Sequence, residues 1–303
     1  SDPLPTSDQP AGPPRPVGVQ DPATVPAAGS SDTSCGDPLR SYRPEGSLPS
    51  AGHMPSGSTM ARIAQRGRLV VGVDQNTYLF GFRDPATNKI QGFDVDMLRE
   101  VSRAIFGDPD RIQYKAITSA ERIPALRRHD VDLVADVMTI NCERWHQVAF
   151  STTYFNAGQR VLVPKDSTVD DLSDLGGQKV CAAKGSTSIR AVAADKSHPK
   201  AVAVDDWTDC LVMLQQRQVA AISTDDAILA GLARQDPNTK VVGPRFTDEP
   251  YGIAANSGDV DLVRFVNGVL ASIRSDGTWT KIYNRWLTVL GPAPAPPPAS
   301  YRS

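Results

Sequence analysis

Proline divides this chain into three parts. Of the 25 prolines in 303 residues, 12 fall within residues 1–59 and five within residues 291–303, which leaves eight for the 231 residues between. Both ends are also rich in Gly, Ser and Asp and poor in large apolar side chains, so they bury too little surface to offset the entropy of ordering them. The folded body is expected over residues 60–290, long enough for two modest domains or one larger one. Residues 1–59 are expected as a Pro-rich extension or tether and residues 291–303 as a solvated Pro-rich tail.

The net charge of −2 and a pI near 6.1 leave no basic stripe to neutralise a phosphate backbone, which argues against nucleic acid. No run approaches the roughly 18 apolar residues of a membrane span, and the first residues lack the layout of a signal peptide. The chain begins at Ser1, compatible with a removed targeting segment. Cys35, Cys142, Cys181 and Cys210 form no CxxC pair. Four scattered cysteines fit either two disulfides in an oxidising compartment or four buried thiols in a reducing one. His53, His129, His146 and His198 are dispersed without metal spacing, and neither a Walker motif nor GxGxxG occurs. Ser197 to Lys200 spell SxxK in a polar loop without the companion motifs of a nucleophile. No metal and no cofactor are expected.

Along the body, RLVVGV (68–73) reads as a strand buried on both faces. A hairpin with Asp-Pro and Asn-Lys turn signals follows. Phe93, Met97, Val101 and Ile105 mark a helix closed by Gly107. A strand at 112–117, a helix at 120–128 and a strand at 131–137 complete an α/β alternation. After a connecting strand at 160–163, a second series begins: strand 179–182, helix 189–194, strand 201–204, helix 207–216, strand 219–223 and helix 227–234. Two helices, 260–273 and 278–287, end the body. Ligands of such sheets lie beyond the carboxyl ends of the strands, which draws attention to the residues after Val73 and Val137.

Eight segments in order resemble the extracytoplasmic solute-binding proteins of polar amino-acid ABC transporters, of the glutamine/glutamate/aspartate-binding lipoprotein kind. They are LVVGVD (69–74), GFDVDML (92–98), ITSAERIPAL (117–126), VDLVADVMTINCERWHQVAFS (131–151), DDLSDLGGQKVCAAKGSTS (170–188), STDDAILAG (223–231), YGIA (251–254) and GTWTKIYNRWL (277–287). Ser102 departs from the smaller apolar residue usual at its place. The resemblance implies a two-lobe, periplasmic-binding-protein-like (type II) α/β fold, with crossings near 157–163 and 243–248. Lobe 1 is then 60–158 plus 247–290, lobe 2 is 159–246, and the Pro-rich tails are disordered. Ligand lies between lobes that close on a hinge.

A free amino acid brings a carboxylate and an ammonium, and each needs a partner when the cleft shuts. The resemblance implies Arg144 on the α-carboxylate, able to bind it through two parallel hydrogen bonds. Thr139 adds to the same group, Val137 offers its carbonyl to the ammonium, and Asp225 binds the ammonium while Asp226 caps the next helix. Gly185, Ser186 and Thr187 of lobe 2 present backbone N–H groups to the carboxylate from the other side. Arg122 matches an arginine that pairs with a distal carboxylate, whereas Asp74 holds a place used for a side-chain amide. Aspartate or glutamate is therefore favoured, with asparagine or glutamine tolerated. Tyr78 and Phe80 either wall the ligand's aliphatic part or simply pack.

Cys181 and Cys210 fall in the same implied lobe and are expected to pair, as are Cys35 and Cys142, which would tie the extension to lobe 1 and leave about the first 34 residues free. The expected function is a non-enzymatic receptor outside the cytoplasm, monomeric and lipid-anchored upstream of Ser1, presenting its ligand to an ABC permease or a signalling receptor. The alternative is an enzyme on the same fold, such as a cyclohexadienyl-dehydratase-like lyase, which would need an acid/base carboxylate facing the cleft.

Overall fold

The structure, a computed structural model, describes residues 14–26 and 32–303. β1 (Arg40–Ser41) precedes α1 (Thr59–Arg66), which starts where the Ser58 hydroxyl accepts from the N–H of Ala61 at 3.0 Å and stops at Gly67 with φ 89°. The apolar run becomes β2 (Leu69–Val73), buried at every residue. A three-stranded meander follows, β3 (Asn76–Thr77), β4 (Gly81–Arg83) and β5 (Ile90–Gln91). α2 (Phe93–Phe106) buries Phe93, Met97, Val101 and Ile105, one face at helical spacing, and ends at Gly107 with φ 75°. Next come β6 (Ile112–Ala116), α3 (Arg122–Arg127), β7 (Leu133–Val134), α4 (Cys142–Trp145) and β8 (Val148–Phe150), and the chain leaves lobe 1 through β9 (Phe155–Ala157). The strand expected over 131–137 shrinks to two residues because the backbone turns out of the sheet before Val137, which has φ 42°.

Lobe 2 is β10 (Gln159–Pro164), β11 (Lys179–Ala183), α5 (Thr187–Ala194), β12 (Lys200–Val204), α6 (Trp207–Gln215), β13 (Ala221–Asp225), α7 (Asp226–Gln235) and β14 (Thr239–Val242). The return to lobe 1 runs through β15 (Glu249–Tyr251), β16 (Ala254–Asn256), α8 (Val260–Ser275) and α9 (Thr278–Trp286), with β17 (Ser300–Tyr301) near the end.

The two five-stranded sheets share one plan, β6-β2-β7-β16-β8 and β12-β11-β13-β10-β14. In each, three parallel strands adjoin an antiparallel one contributed from the other side of a crossing. Between the lobes, β9 and β15 pair antiparallel, Ala157 opposite Glu249 and Phe155 opposite Tyr251. Asp226 locks this hinge rather than simply capping α7. Its Oδ1 accepts from the N–H of Gly158 at 3.2 Å, its Oδ2 accepts from Arg245 Nε at 2.7 Å, and its own N–H reaches the Gly158 carbonyl at 2.8 Å. One carboxylate thus holds both crossings.

Neither described end is a free tail. The Gln20 N–H donates to Ala203 O at 2.8 Å, the Ala203 N–H returns to Gln20 O at 3.0 Å, and the Ala23 N–H reaches Ala201 O at 2.9 Å. Asp21 sits between Arg15 and Lys179, at 2.5 and 2.6 Å. Residues 14–26 therefore lie on lobe 2, against the expectation that everything before Cys35 swings freely. At the other end β17 pairs parallel with β1, and the Arg302 guanidinium stacks 4.3 Å over the Trp145 ring. The buried Asn267 of α8 accepts from the Thr152 N–H at 2.8 Å and donates to Ser41 Oγ and Tyr42 O at 2.8 and 2.7 Å, fixing the extension to lobe 1. Backbone and guanidinium partners order these Pro-rich stretches together with the few apolar side chains, Val19, Val25, Leu39 and Leu48 among them, that pack against the cores of the lobes. The rest of the expected tether, residues 1–13 and 27–31, lies outside the described residues.

Both expected disulfides are present. Cys35–Cys142 joins the extension to α4, and Cys181–Cys210 joins β11 to α6, with Cα atoms 5.2 and 5.6 Å apart. The second bond closes a separation of 29 residues inside lobe 2. Replacing Cys181 and Cys210 together by Ala should lower unfolding free energy by about 3–4 kcal/mol on the chain-entropy view. Denaturant titration reads this directly, and an unchanged midpoint would contradict it.

Candidate functional site

The carboxyl ends of the parallel strands of both sheets face one another, and the loops beyond them carry the site. Between them the lobes leave a narrow cavity of only about 10 Å³, lined by Ser119, Arg122, Val137, Thr139 and Arg144 from lobe 1. Ser186, Thr187, Ser188, Trp207, Thr224, Asp225 and Ile228 line it from lobe 2.

Arg144 is presented by α4, a single turn started by the Asn141 side chain, which accepts from the Arg144 N–H at 2.9 Å. Its guanidinium donates to Thr139 O at 2.7 Å and, across the cleft, to Gly185 O at 3.1 Å. Burial, with the neighbouring Arg122 charge next, lowers its pKa to about 9, so it stays cationic at neutral pH. Arg122 opens α3. It donates to Ser119 O at 3.0 Å, to Asp136 O at 2.8 Å and to Gly185 O at 3.4 Å. Two buried cations of lobe 1 thus converge on one carbonyl of lobe 2.

Opposite them stands Asp225, at the end of β13. Its Oδ2 accepts from the Tyr251 hydroxyl at 2.5 Å, while its Oδ1 is buried without a partner. Burial, reinforced by the negative charge of Glu249, drives its carboxyl well above the usual carboxylate range. Glu249 accepts from Thr187 Oγ1 at 2.6 Å and is raised by its own burial. Ser186 caps α5, its Oγ accepting from the Ile189 N–H at 3.1 Å and donating to Ala183 O at 2.7 Å. That leaves the first N–H groups of α5 turned to the cleft as donors for an anion.

Val137 takes φ 42°, a conformation strained for a β-branched residue. It is held there by Asp94, whose Oδ2 accepts from the Val137 N–H at 2.9 Å while its Oδ1 accepts from the Tyr154 hydroxyl. Asp94, Glu249, Tyr251 and the lining residues Ser119, Ser188, Trp207, Thr224 and Ile228 escape the sequence reading. Asp94, Ser119, Ser188, Thr224, Ile228 and Tyr251 fall within the matching segments, but nothing there marks their roles, and that of Asp94 is set 43 residues away.

Four expected site residues do not line the cavity. Asp74 is consumed by its own turn, accepting from Gln75 N at 2.7 Å, Asn76 N at 3.0 Å and Thr77 Oγ1 at 2.6 Å. Phe80 is fully buried in the lobe 1 core, edge-on to Phe93, Phe155 and Tyr251. Tyr78 packs edge-on against Phe82, and its carbonyl would lie 2.6 Å from a Cβ at Gly231 of α7, so it serves lobe-to-lobe packing. Gly185 borders the space through its carbonyl rather than lining it. Of the cysteines, Cys142 sits beside the site in α4. Among the described residues no group of His, Cys, Asp and Glu could hold a metal ion, and no helix is long and apolar enough to cross a membrane.

Gly185 sets how far the lobes approach. It has φ 74°, and a Cβ there would stand 2.8 Å from Ala120 Cα. Gly185→Ala should therefore weaken ligand binding at least ten-fold by holding the cleft open, while shifting the unliganded protein's stability by only about 1 kcal/mol. Equal affinity for the two proteins, read by calorimetry, would refute this. The buried carboxyls give a pH signature. Burial raises Asp94 to about 7 and Asp74 to about 6 from 3.8. A folded state that holds extra protons is favoured below the unfolded pKa and loses that advantage as pH rises through the folded one. Unfolding free energy should decline between pH 4 and 7, and less steeply in Asp94→Asn; parallel curves for variant and wild type would contradict the Asp94 contribution.

Residues 69–289 match the family described as bacterial extracellular solute-binding proteins, family 3. The chain is 38% identical over 230 residues to the ABC transporter glutamine-binding protein GlnH of Bacillus subtilis, covering 76% of this chain and 84% of that protein. It is 29% identical over 242 residues to the glutamate/aspartate import solute-binding protein of Salmonella typhimurium, covering 76% and 80%. Among solved structures, a solute receptor for L-cysteine of Neisseria gonorrhoeae superposes with a TM-score of 0.74 at 29% identity, over 77% of this chain and 96% of the other.

Proposed function

This chain belongs to family 3 of the bacterial extracellular solute-binding proteins, and we propose that its cleft takes aspartate or glutamate first, with asparagine and glutamine tolerated. It is a binding protein rather than an enzyme: the relatives carry binding and import names, and the lyase alternative finds no support among them. It acts outside the cytoplasm, as the family description states.

The observation that carries the reading is a pair of opposite, unmet demands across one small cavity. On one side Arg144 and Arg122 are buried cations with only neutral carbonyls as partners. On the other, Asp225 keeps a buried oxygen unpaired beside the charge of Glu249. A zwitterion satisfies both. Its α-carboxylate goes to Arg144, the Thr139 side and the N–H groups at Ser186 and Thr187; its ammonium goes to Asp225 and the Val137 carbonyl. Arg122 is left for a second anionic or polar terminus. The ligand's ammonium also favours the ionised form of Asp225, so binding releases a proton that burial holds on that carboxyl.

The presented ligand passes to an ABC permease, the system named for the Bacillus subtilis relative, or to a membrane sensor. The protein acts as a monomer held at the membrane by a lipid anchor. Calorimetry with the twenty amino acids tests the site. Arg144→Ala and Asp225→Asn should each weaken binding at least 100-fold, since each leaves a buried charge without its partner, at a cost of about 3–5 kcal/mol. Arg122→Ala should weaken aspartate and glutamate more than asparagine and glutamine. An equal loss across the two pairs would exclude a distal-carboxylate role for Arg122.

A further inference from the structure

The chain has four tryptophans, and three of their indole N–H groups are matched within the protein. Trp145 donates to Pro38 O at 2.8 Å, Trp279 to Tyr154 O at 2.9 Å and Trp286 to Asp96 Oδ2 at 2.7 Å. Trp207 alone, among the described residues, leaves its Nε1–H buried without an acceptor. The residue is only 2% exposed, so water does not compensate from bulk solvent. It is also the one tryptophan that lines the cavity between the lobes.

Its placement is well fixed. Trp207 is the first residue of α6, whose start is tied by a reciprocal Asp206–Asp209 capping box, and Cys210, one turn on, is bonded to Cys181 of β11. An indole N–H can only donate, and a buried donor left without a partner is destabilising. The site tolerates that cost on a rigid helix start, facing a space that also holds the Arg122 guanidinium from the opposite lobe.

We infer that Trp207 is a specificity residue: its indole N–H donates to the oxygen at the end of the ligand's side chain, opposite Arg122. This rests on the amino-acid reading above. In that reading the α-carboxylate and the ammonium already have partners in Arg144 and Asp225. The remaining acceptor in a polar amino acid is the distal carboxylate or carboxamide oxygen, common to aspartate, glutamate, asparagine and glutamine. Because Trp207 belongs to lobe 2 and Arg122 to lobe 1, the two grip that oxygen together only in the shut cleft. Side chains without an acceptor would leave the indole unmatched and be disfavoured on closure, which is selection by an unsatisfied donor.

Asp136 is another buried group without partners, with both carboxyl oxygens unpaired. It does not line the cavity, and its free acceptors supply the competing account, in which the indole pairs with Asp136.

Trp207→Phe keeps the ring and removes the donor. In the full chain, calorimetry should find aspartate, glutamate, asparagine and glutamine each bound about ten-fold more weakly than by wild type, and 2-aminobutyrate, which lacks the oxygen, bound as before or too weakly to measure in both proteins. Indole-labelled NMR supplies the second readout. Saturating aspartate should move the Trp207 Hε1 resonance downfield and slow its exchange with solvent. Undiminished affinity for all four acceptor-bearing amino acids, or a Trp207 Hε1 signal unmoved by aspartate, overturns the inference. So does an equal loss for 2-aminobutyrate, which would make the ring a wall only, and a fall in melting temperature without change in affinity, which would favour pairing with Asp136. If wild type binds none of the twenty amino acids, the underlying reading of the site fails instead.

Discussion

Two guanidinium groups reach one carbonyl oxygen. Gly185 O accepts from Arg144 at 3.1 Å and from Arg122 at 3.4 Å, and these bonds span the two lobes. Both arginines are buried, and moving a cation out of water is costly unless an anion repays it. A neutral carbonyl is a weak partner for two positive charges. Close by, Asp225 and Glu249 are buried carboxyls, both raised by burial, and the charge of Glu249 adds to the cost of ionising Asp225. The shut cleft therefore concentrates two defects of opposite sign within one small volume. This arrangement favours an occupant with separated charges and gives closure a reason to await it.

The strand and helix pattern was legible because hydrophobic periodicity and glycine stops are local. Phe93 to Ile105 and Gly107 behave in the fold as they read in the chain. Arg144, Thr139, Val137, Arg122, Ser186, Thr187 and Asp225 could be placed at one cavity from segments in recognisable order. What stayed hidden depends on partners distant in sequence. Asp94 acts on Val137, 43 positions away, and Glu249 meets Thr187 across 62. Alternating aromatics could not reveal that Phe80 belongs to an interior cluster with Phe93 and Tyr251. Asp74, at a family position used for a side-chain amide, sits in local Asp-Gln-Asn-Thr turn chemistry that occupies its carboxylate. Trp207 carries no signal in the chain, since an unmatched donor is visible only once all its neighbours are known.

Composition misled most at the ends. Low apolar content does forbid a buried core there, yet an extension can be ordered by backbone groups that another element leaves open. Asn267 and Asp226 show the same economy within the body, each single polar side chain fixing two separate stretches of chain.

The contact between Gln20, Ala23 and β12 has a further meaning for a protein that works exposed to a crowded envelope. β12 is the outermost strand of its sheet, and an outermost strand offers its free N–H and C=O groups to any passing extended chain. The extension occupies those groups at Ala201 and Ala203. Its own outer side is a poor template in turn, because Pro22 and Pro26 have no N–H to offer. The prolines that bar this segment from a sheet interior suit it to cover the edge of one through a single bridge, so that lobe 2 carries its own protection against edge-to-edge aggregation.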